Sequence, residues 1–423
     1  MLRLDLVIFG ATGFTGRKAA EEVVRGGKYY DDLLWGVAGR SRDKLEALIK
    51  ELTKLTGRDL SNVRIIVADV KDEPSLKAMC AQTKILVNCC GPYQFYGEPV
   101  VRAAIQAKSN YVDITAEPQF AEKMQLLYDE QARAAGIYIV TTCGFDCIPN
   151  DMGVEFLKQH FDGVLNSVES YVSVSLPSEL NLEAVRSGIV NFGTWESIVN
   201  IQTNRHELAT LRNKLYPDTM PEYKPKLKSR GAIHKRDGRY CIPFTVSADH
   251  SVVNRTQREL YRDGHRPVQF RAYFKFSNFL FTLLLAFAQM MLILMTKAKF
   301  TTQLLLTHPR LFTLGMVSRK GPKEQVMNNM HFKFELVGRG WEKGADIESA
   351  PPNKTLKARV SGLNPGYGAT VVALIHCGLT MLREQDKMPG TGGVMTTALA
   401  FSNTSLIQRL NENNFKFEII DNS

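Results

Sequence analysis

The amino-acid sequence predicts an α/β protein that begins with a doubly wound, parallel sheet. The first observation is an apolar run of strand length, Leu4 to Phe9, that leads directly into a turn with three glycines. The second is that six such runs alternate with helical segments over roughly the first 145 residues. This alternation is typical of a parallel sheet covered by helices on both faces.

Each predicted element follows from a local pattern. After the glycine turn, Ala19, Ala20, Val23 and Val24 recur at helical spacing among charged residues, and Gly26 ends the helix. The five later strands are predicted from apolar runs, in chain order "LLWGVAG", "VRIIVADV", "KILVNCCGPY", "SNYVDIT" and "GIYIVTTCGFD". The sequence between these runs has the periodicity of amphipathic helices.

The turn "FGATGFTGR" has the composition of a phosphate-binding loop, with the spacing G-x-x-G-x-x-G. Gly10 permits a sharp turn, Gly13 allows the backbone to approach a pyrophosphate, and Gly16 lets the helix pack closely on the strand. Free backbone N–H groups and the helix dipole favour an anion at this helix start. A Rossmann-type dinucleotide site is therefore predicted, with its phosphates held by Gly10, Ala11, Thr12, Gly13, Phe14, Thr15 and Gly16.

The end of the second strand distinguishes between the two nicotinamide cofactors. An NAD site places an acidic residue there for the ribose 2′-hydroxyl, whereas this chain has Arg40, Ser41 and Arg42. Two arginines and a hydroxyl suit a 2′-phosphate, so NADP(H) is favoured over NAD(H). The alternative is that both arginines are solvated residues that lead into the next helix.

Residues at later strand ends complete the predicted cofactor site. Asp69 is expected either to reach the adenine amine or to cap the next turn. Gly91, Pro92 and Tyr93 are expected to line the cofactor cleft.

Composition and charge restrict the partners. The 423 residues carry a net charge of +10, which favours anionic partners, and 44% apolar residues exclude a disordered chain. The seven cysteines lack a Cys-x-x-Cys pair, which favours a reducing compartment, and the eight histidines lack metal-ligand spacing, so no metal is expected. No nucleic-acid module accompanies the charge. Because the chain starts with a predicted strand, neither a signal peptide nor a mitochondrial presequence is expected.

Hydride transfer requires a proton donor or acceptor near the nicotinamide, unless water supplies the proton. The chain contains neither Tyr-x-x-x-Lys nor Gly-x-Ser-x-Gly. The catalytic candidates are therefore polar residues at strand ends that face the cleft: Tyr93, Tyr111, Asp113, Cys143 and Asp146. Each also has a structural interpretation, as a cap, a turn, a small buried side chain or a stacking ring.

Six longer motifs together resemble the saccharopine dehydrogenase-like oxidoreductases: "VIFGATGFTGR", "VAGRSRDKL", "NCCGPYQFYGEPVVRAA", "NYVDITAE", "CGFDCIPNDMGV" and "NPGYGATVVALI". The chain departs from this pattern at Cys147, where serine is more usual, and at Ala116, where glycine is expected. The family includes fungal saccharopine reductases, mycobacterial enoyl reductases and animal proteins found with lipid droplets, and the sequence is most similar to the animal group.

The resemblance implies a domain organisation. A Rossmann domain over residues 1–148 is followed by an inserted second α/β domain with a mixed sheet over residues 149–385. Residues 386–423 then return to the first domain. The resemblance also implies a homodimer formed through the second domain.

Residues 276–296, "FSNFLFTLLLAFAQMMLILMT", carry no charged side chain. As a single helix they would extend roughly 30 Å, enough to cross a bilayer core. The alternative is a buried core helix. Crossing is not expected because the chain from "NPGYGAT" onward completes, by the resemblance, the fold that starts at residue 1. We therefore predict that residues 276–316 insert as a monotopic or hairpin segment, with both ends in the cytosol.

These observations leave three functional interpretations. The first is an NADP-dependent oxidoreductase that acts on a small hydrophobic substrate at a lipid droplet or the cytosolic face of a membrane. The second is a non-catalytic protein of a lipid monolayer or membrane surface that retains a nucleotide-binding fold. The third is a soluble, saccharopine reductase-like amino-acid enzyme, which gives no reason for the apolar segment.

Overall fold

The computed structural model describes residues 3–244 and 248–420. The chain divides into two compact units, each built from separate stretches of sequence. The first unit contains residues 1–145 and 367–413, and the second contains residues 146–366 and 414–423.

The first stretch of the first unit alternates strands with helices, as the sequence predicts. Its strands are β1 (Leu4–Phe9), β2 (Trp35–Gly39), β3 (Arg64–Val67), β4 (Thr83–Asn88), β5 (Asn110–Asp113) and β6 (Tyr138–Val140). Its helices are α1 (Phe14–Arg25), α2 (Arg42–Thr56), α3 (Glu73–Cys80), α4 (Tyr93–Ala107) and α5 (Pro118–Ala135).

The first stretch of the second unit begins with a helix and contains all but one strand of the second sheet. Its strands, in chain order, are β7 (Gly163–Ser175), β8 (Val190–Asn191), β9 (His234–Arg236), β10 (Arg239–Pro243), β11 (Gln269–Phe276), β12 (Val317–Ser318), β13 (His331–Glu342) and β14 (Lys354–Leu363). Its helices are α6 (Cys147–His160), α7 (Asn181–Ser187), α8 (Phe192–Thr203), α9 (Glu207–Leu215), α10 (Asp249–Arg262), α11 (Phe279–Met295), α12 (Lys299–Thr307), α13 (Pro309–Phe312) and α14 (Glu324–Asn328).

The chain then returns to the first unit and finally to the second. The returning elements are α15 (Thr370–Arg383), β15 (Gly393–Met395), α16 (Thr397–Phe401) and α17 (Leu406–Glu412), followed by β16 (Phe415–Ile420) in the second unit. The sequence placed residues 149–385 in the second domain, and this boundary is wrong. Helix α15 packs against β4, β5 and α1 of the first unit, and β16 pairs with β14 in the second sheet.

The two sheets have the predicted classes. Over the described residues the first sheet has the order β3-β2-β1-β4-β5-β6-β15, and all of its pairs are parallel. The inner strand β1 is buried from Leu6 to Phe9, as expected for a strand covered on both faces. The second sheet has the order β16-β14-β13-β7-β11-β10-β9 and is mixed, because β7 pairs parallel with β11 and antiparallel with β13.

The apolar segment differs from its predicted form. Helix α11 has 17 residues, fewer than the twenty-one of residues 276–296. The rest of the predicted insert contains two short helices, α12 and α13, and Pro309 begins the second. The inner face of α11 packs through Leu292 against Trp195, Val199 and Leu305 in one apolar cluster. Among the described helices, only the stretch Pro365–Arg383 is long and apolar enough to cross a membrane, and 83% of its most apolar part is buried inside the protein.

Candidate cofactor site

The glycine turn between β1 and α1 is closed by backbone contacts. The N–H of Gly10 donates to the carbonyl of Ala38 at 2.9 Å, and the N–H of Gly13 donates to the carbonyl of Gly10 at 2.9 Å. Gly10 has a φ of +80°, which favours glycine. A Cβ on Gly16 would lie 2.2 Å from the carbonyl oxygen of Gly10, so only glycine lets α1 start this close to β1.

The same turn leaves the N-terminus of α1 open to an anion. Thr12 and Gly13 are exposed. The helix is capped by Gly13, which has no side chain to accept a hydrogen bond from the first turn. The first turn of the helix, which starts at Phe14 and includes Thr15, contains no acidic residue. The N–H groups of a first helical turn have no partner within the helix. The turn therefore fits the pyrophosphate of a dinucleotide, since it offers backbone donors and the positive end of the helix dipole.

Three polar residues follow β2, and the structure gives them different environments. The hydroxyl of Ser41 caps α2 by accepting from the N–H of Lys44 at 3.4 Å. Arg42 lies 3.8 Å from the carboxylate of Glu46 in an exposed pair one helical turn away. Arg40 is exposed and forms no ion pair within residues 3–244 and 248–420. Both arginines are exposed, and a contact of either with a 2′-phosphate stays a prediction.

Cys90, which follows β4 and which the sequence analysis did not select, lies against the glycine turn. A Cβ on Gly10 would lie 2.7 Å from the Sγ of Cys90. Burial raises the pKa of the Cys90 thiol to about 12, while the charge of Arg40 acts to lower it and that of Asp69 to raise it. Cys90 therefore borders the glycine turn within electrostatic reach of Arg40 and Asp69, and its thiol is protonated at neutral pH.

Asp69 closes a turn before α3. One of its carboxylate oxygens accepts from the N–H of Lys71 at 3.0 Å, and its own N–H donates to the hydroxyl of Ser75 at 3.0 Å. Two roles were predicted for Asp69, and the structure shows the one in which it closes the turn. A contact with the adenine amine stays a prediction.

Gly91 and Pro92 lead into α4, where Tyr93 is turned into the first unit. The Tyr93 side chain is 6% exposed, and its hydroxyl donates to the carbonyl of Asn88 at 2.9 Å. The start of α4 is capped by the fully buried Glu117, whose carboxylate accepts from the N–H groups of Tyr93 at 3.1 Å and Gln94 at 2.8 Å. Burial raises the pKa of Tyr93 well above its usual value, so the phenol stays protonated as a donor to the main chain.

Tyr111 and Asp113 belong to one buried hydrogen-bond network at the ends of β4 and β5. The amide of Asn88 donates to the Tyr111 hydroxyl, which donates to Asp113, both at 2.9 Å. The second carboxylate oxygen of Asp113 accepts from the N–H groups of Thr115 and Thr142, each at 3.0 Å. Burial raises the pKa of Asp113 to about 7, and these hydrogen bonds oppose the rise. The network ties three loops of the candidate site together.

The two remaining candidates lie in different units. Cys143 is fully buried in the first unit, and its Sγ lies 3.4 Å from the carbonyl oxygen of Val140. Asp146 begins the second unit at the start of α6 with a φ of +77°. Burial, together with the nearby Asp249, raises the pKa of Asp146 well above its usual value. A catalytic role for any of the five candidates stays a prediction.

The residues that sequence reasoning missed have a common property. Asn88, Cys90, Glu117 and Thr142 act through buried main-chain contacts that depend on which strands are neighbours. The order β1-β4-β5-β6 brings them together, and no local motif marks it. No group of three metal-ligating side chains was found among the described residues.

Residues 6–140 match the family model of the saccharopine dehydrogenase NADP binding domain, which favours NADP as the cofactor. The whole chain is 37% identical to the human saccharopine dehydrogenase-like oxidoreductase over 427 residues, which covers 99% of this chain and 97% of the human protein. The chain belongs to the saccharopine dehydrogenase-like oxidoreductase family. The resemblance found in the sequence motifs is therefore confirmed, as is the expected oxidoreductase class.

Other members of the saccharopine dehydrogenase-like family carry different names. A Caenorhabditis elegans relative, 34% identical over 97% of this chain and 96% of its own length, is called a lipid droplet localized protein. An Arabidopsis thaliana relative, 31% identical over 98% of this chain and 96% of its own length, is called a probable mitochondrial saccharopine dehydrogenase-like oxidoreductase. The names do not agree on one location.

A solved structure confirms the fold class. The apo saccharopine dehydrogenase (L-Glu forming) of Saccharomyces cerevisiae superimposes with a TM-score of 0.50 at 14% identity. The match covers 99% of this chain and all of the yeast chain. At this identity the likeness concerns the fold and not the substrate.

Proposed function

We propose that this protein is an NADP(H)-dependent oxidoreductase that acts on a small hydrophobic substrate presented at a lipid surface. The open N-terminus of α1 beside the unpaired Arg40 carries the cofactor part of the proposal. The nicotinamide would supply or accept the hydride. The backbone groups of residues 12–15 would hold the pyrophosphate, and Arg40 the 2′-phosphate. The apolar outer face of α11 supports the substrate class, because a water-soluble amino acid gives no reason for it.

Charge reversal at Arg40 tests the cofactor assignment. We expect Arg40→Glu to weaken NADPH binding by about tenfold or more, because a carboxylate would replace a cation beside the phosphate. NADH binding should change by less than about threefold, since NADH lacks that phosphate. The measurement is calorimetric titration of both nucleotides.

Arg64→Glu provides the matched control, because Arg64 is also an exposed arginine of the first unit but stands at the start of β3. It should leave both affinities unchanged. An unaltered ratio of NADPH to NADH affinity in Arg40→Glu would remove Arg40 from the 2′-phosphate site.

One observation favours a second candidate, a non-catalytic surface protein that retains nucleotide binding. In the first unit, the side chains of Tyr93, Tyr111 and Asp113 all make buried hydrogen bonds to neighbouring groups. Single-turnover oxidation of NADPH in the presence of membrane lipid extracts separates the two candidates. Oxidation supports the enzyme, whereas tight NADPH binding without oxidation favours the surface protein.

A further inference from the structure

The outer face of α11 is an exposed apolar surface of the second unit. Phe279, Leu283, Phe287, Met290 and Leu294 recur at intervals of three or four residues, so they share one side of the helix. Each of these side chains is 46–53% exposed, and the adjacent Leu280 is 72% exposed. The opposite side packs through Leu292 on the apolar cluster with Trp195. At the N-terminal end of the exposed side, the ring of Phe279 lies 5.0 Å from that of Tyr240. A helix in water normally presents polar groups on its outer side.

A second exposed apolar patch belongs to the same part of the unit. Leu182 and Val185 of α7 and Leu311 and Leu314 around α13 are 59–71% exposed. The guanidinium of Arg310 donates to the carbonyl of Arg186 at 3.1 Å, so α7 and α13 are neighbours. Phe312 packs on the cluster that holds the inner face of α11, and one small core therefore supports both patches.

The charged side chains of the segment that carries α11, α12 and α13 are all basic. From residue 264 to residue 323 the sequence contains nine lysines and arginines and no aspartate or glutamate. Lys297, Lys299, Arg310 and Lys320 are exposed and form no ion pair with any described residue. An apolar face bordered by free cations is complementary to a surface of anionic headgroups over hydrocarbon.

The connections of α11 exclude a crossing helix. Its 17 residues extend about 25 Å, which is less than a bilayer core of about 30 Å. The strand before it, β11, lies in the second sheet, and the strand after it, β12, pairs with β8. Both ends thus return to the same unit.

We propose that the outer face of α11, together with the patch around Leu311 and Leu314, docks into a phospholipid surface that carries anionic headgroups. The helix lies in the plane of the interface, and Lys297 and Lys299 at its C-terminal end contact the headgroups. This docking identifies the lipid surface at which the proposed function places the substrate. Its role in substrate delivery rests on the proposed function. Its test requires no turnover.

Vesicle flotation with the full-length protein tests the apolar contact. The probe is a set of phosphatidylcholine vesicles with about 30% phosphatidylserine. We expect the pair Leu283→Ser and Phe287→Ser to lower the partition coefficient by about tenfold or more, because two half-exposed apolar side chains no longer enter the lipid. The matched control is the pair Leu55→Ser and Leu127→Ser, which are equally exposed on α2 and α5 and should leave partitioning unchanged.

The headgroup contact has a separate signature. The pair Lys297→Glu and Lys299→Glu should weaken partitioning onto the phosphatidylserine vesicles several-fold but have little effect on pure phosphatidylcholine vesicles. Raising the salt concentration should reduce this difference, because it screens exposed charges.

Two outcomes would overturn the docking. One is that the Leu283→Ser and Phe287→Ser pair partitions like the unaltered protein. The other is that the unaltered protein ignores both kinds of vesicle and forms a dimer that the serine pair dissociates, which would mean that a second copy covers the face. Titration of every variant with NADPH reports whether the variant is folded. If the unaltered protein did not bind NADPH, the proposed function would be overturned, but the docking would not be affected.

Discussion

Two buried carboxyl groups organise the candidate site at the residue scale: Asp113 at the end of β5 and Glu117 four residues later. Glu117 accepts from two N–H groups at the start of α4, where the helix dipole favours a negative group. Asp113 accepts from two loops and from Tyr111 in a region with no exposed surface. The pKa of Asp113 is raised to about 7, so its carboxyl changes protonation in the physiological range.

The raised pKa of Asp113 predicts a pH dependence of stability. In the unfolded chain an aspartate titrates near pH 4, whereas in the folded protein Asp113 titrates at about 7. Between these values the folded state binds the extra proton, so the stability contributed by this group falls as the pH rises. We expect Asp113→Asn to remove this component, which amounts to about 3 kcal/mol between pH 4.5 and 7.5.

Urea unfolding at both pH values, with and without the substitution, measures this component. Asp59→Asn is the control: its exposed carboxyl has a pKa lowered by hydrogen bonds to Ser61, so its titration lies below this window. Equal pH dependence in Asp113→Asn and the unaltered protein would contradict the assignment.

At the scale of elements, the junction of β1 and α1 depends on contact between backbones. Gly16 lies against the carbonyl group of Gly10 and the Cα of Ala11, neither of which can move without displacing the strand. We expect Gly16→Ala to lower the free energy of unfolding by about 2 kcal/mol or more and to weaken NADPH binding, because α1 must shift away from β1.

The control for this substitution is Gly231→Ala, since a Cβ at Gly231 meets no atom within 4 Å. Chemical denaturation and nucleotide titration measure both variants. A Gly16→Ala protein with unaltered stability would mean that the helix and strand are less closely packed than the structure has them.

Elements with a strong local pattern were predictable, and elements that depend on distant pairing were not. The strand before the glycine turn and the helix α1 after it follow from an apolar run and from helical spacing. Strand β15 has only three residues and pairs with β6 more than 250 positions earlier in the chain, so no periodicity marks it. The cap of α4 by Glu117 likewise depends on the neighbouring positions of β4 and β5.

At the scale of the whole molecule, the candidate cofactor residues lie before position 94, yet their unit is completed by residues 367–413. Helix α15 covers the first sheet: all but two of its 14 residues are buried. The sequence predicted a return to the first domain but placed it after this helix, because an apolar helix fits either unit by composition alone.

Gly378 offers a test of this long-range completion. A Cβ at Gly378 would lie 3.5 Å from the side chains of Leu6 and Ile85 and 3.7 Å from that of Val112, which are ordinary contact distances. We therefore expect Gly378→Ala to be tolerated, with stability unchanged or slightly raised because alanine favours a helix. Gly378→Leu should lower the free energy of unfolding by about 2 kcal/mol or more, because the extra carbons would force α15 away from the sheet.

Nucleotide titration extends this prediction from stability to the site. If α15 holds β1 and β4 in place, Gly378→Leu should also weaken NADPH binding, although position 378 lies far along the chain from the glycine turn. The alanine variant, which differs only in the size of the added group, should bind NADPH like the unaltered protein. Equal stability and equal NADPH affinity in the two variants would show that the first sheet forms its cofactor edge without support from α15.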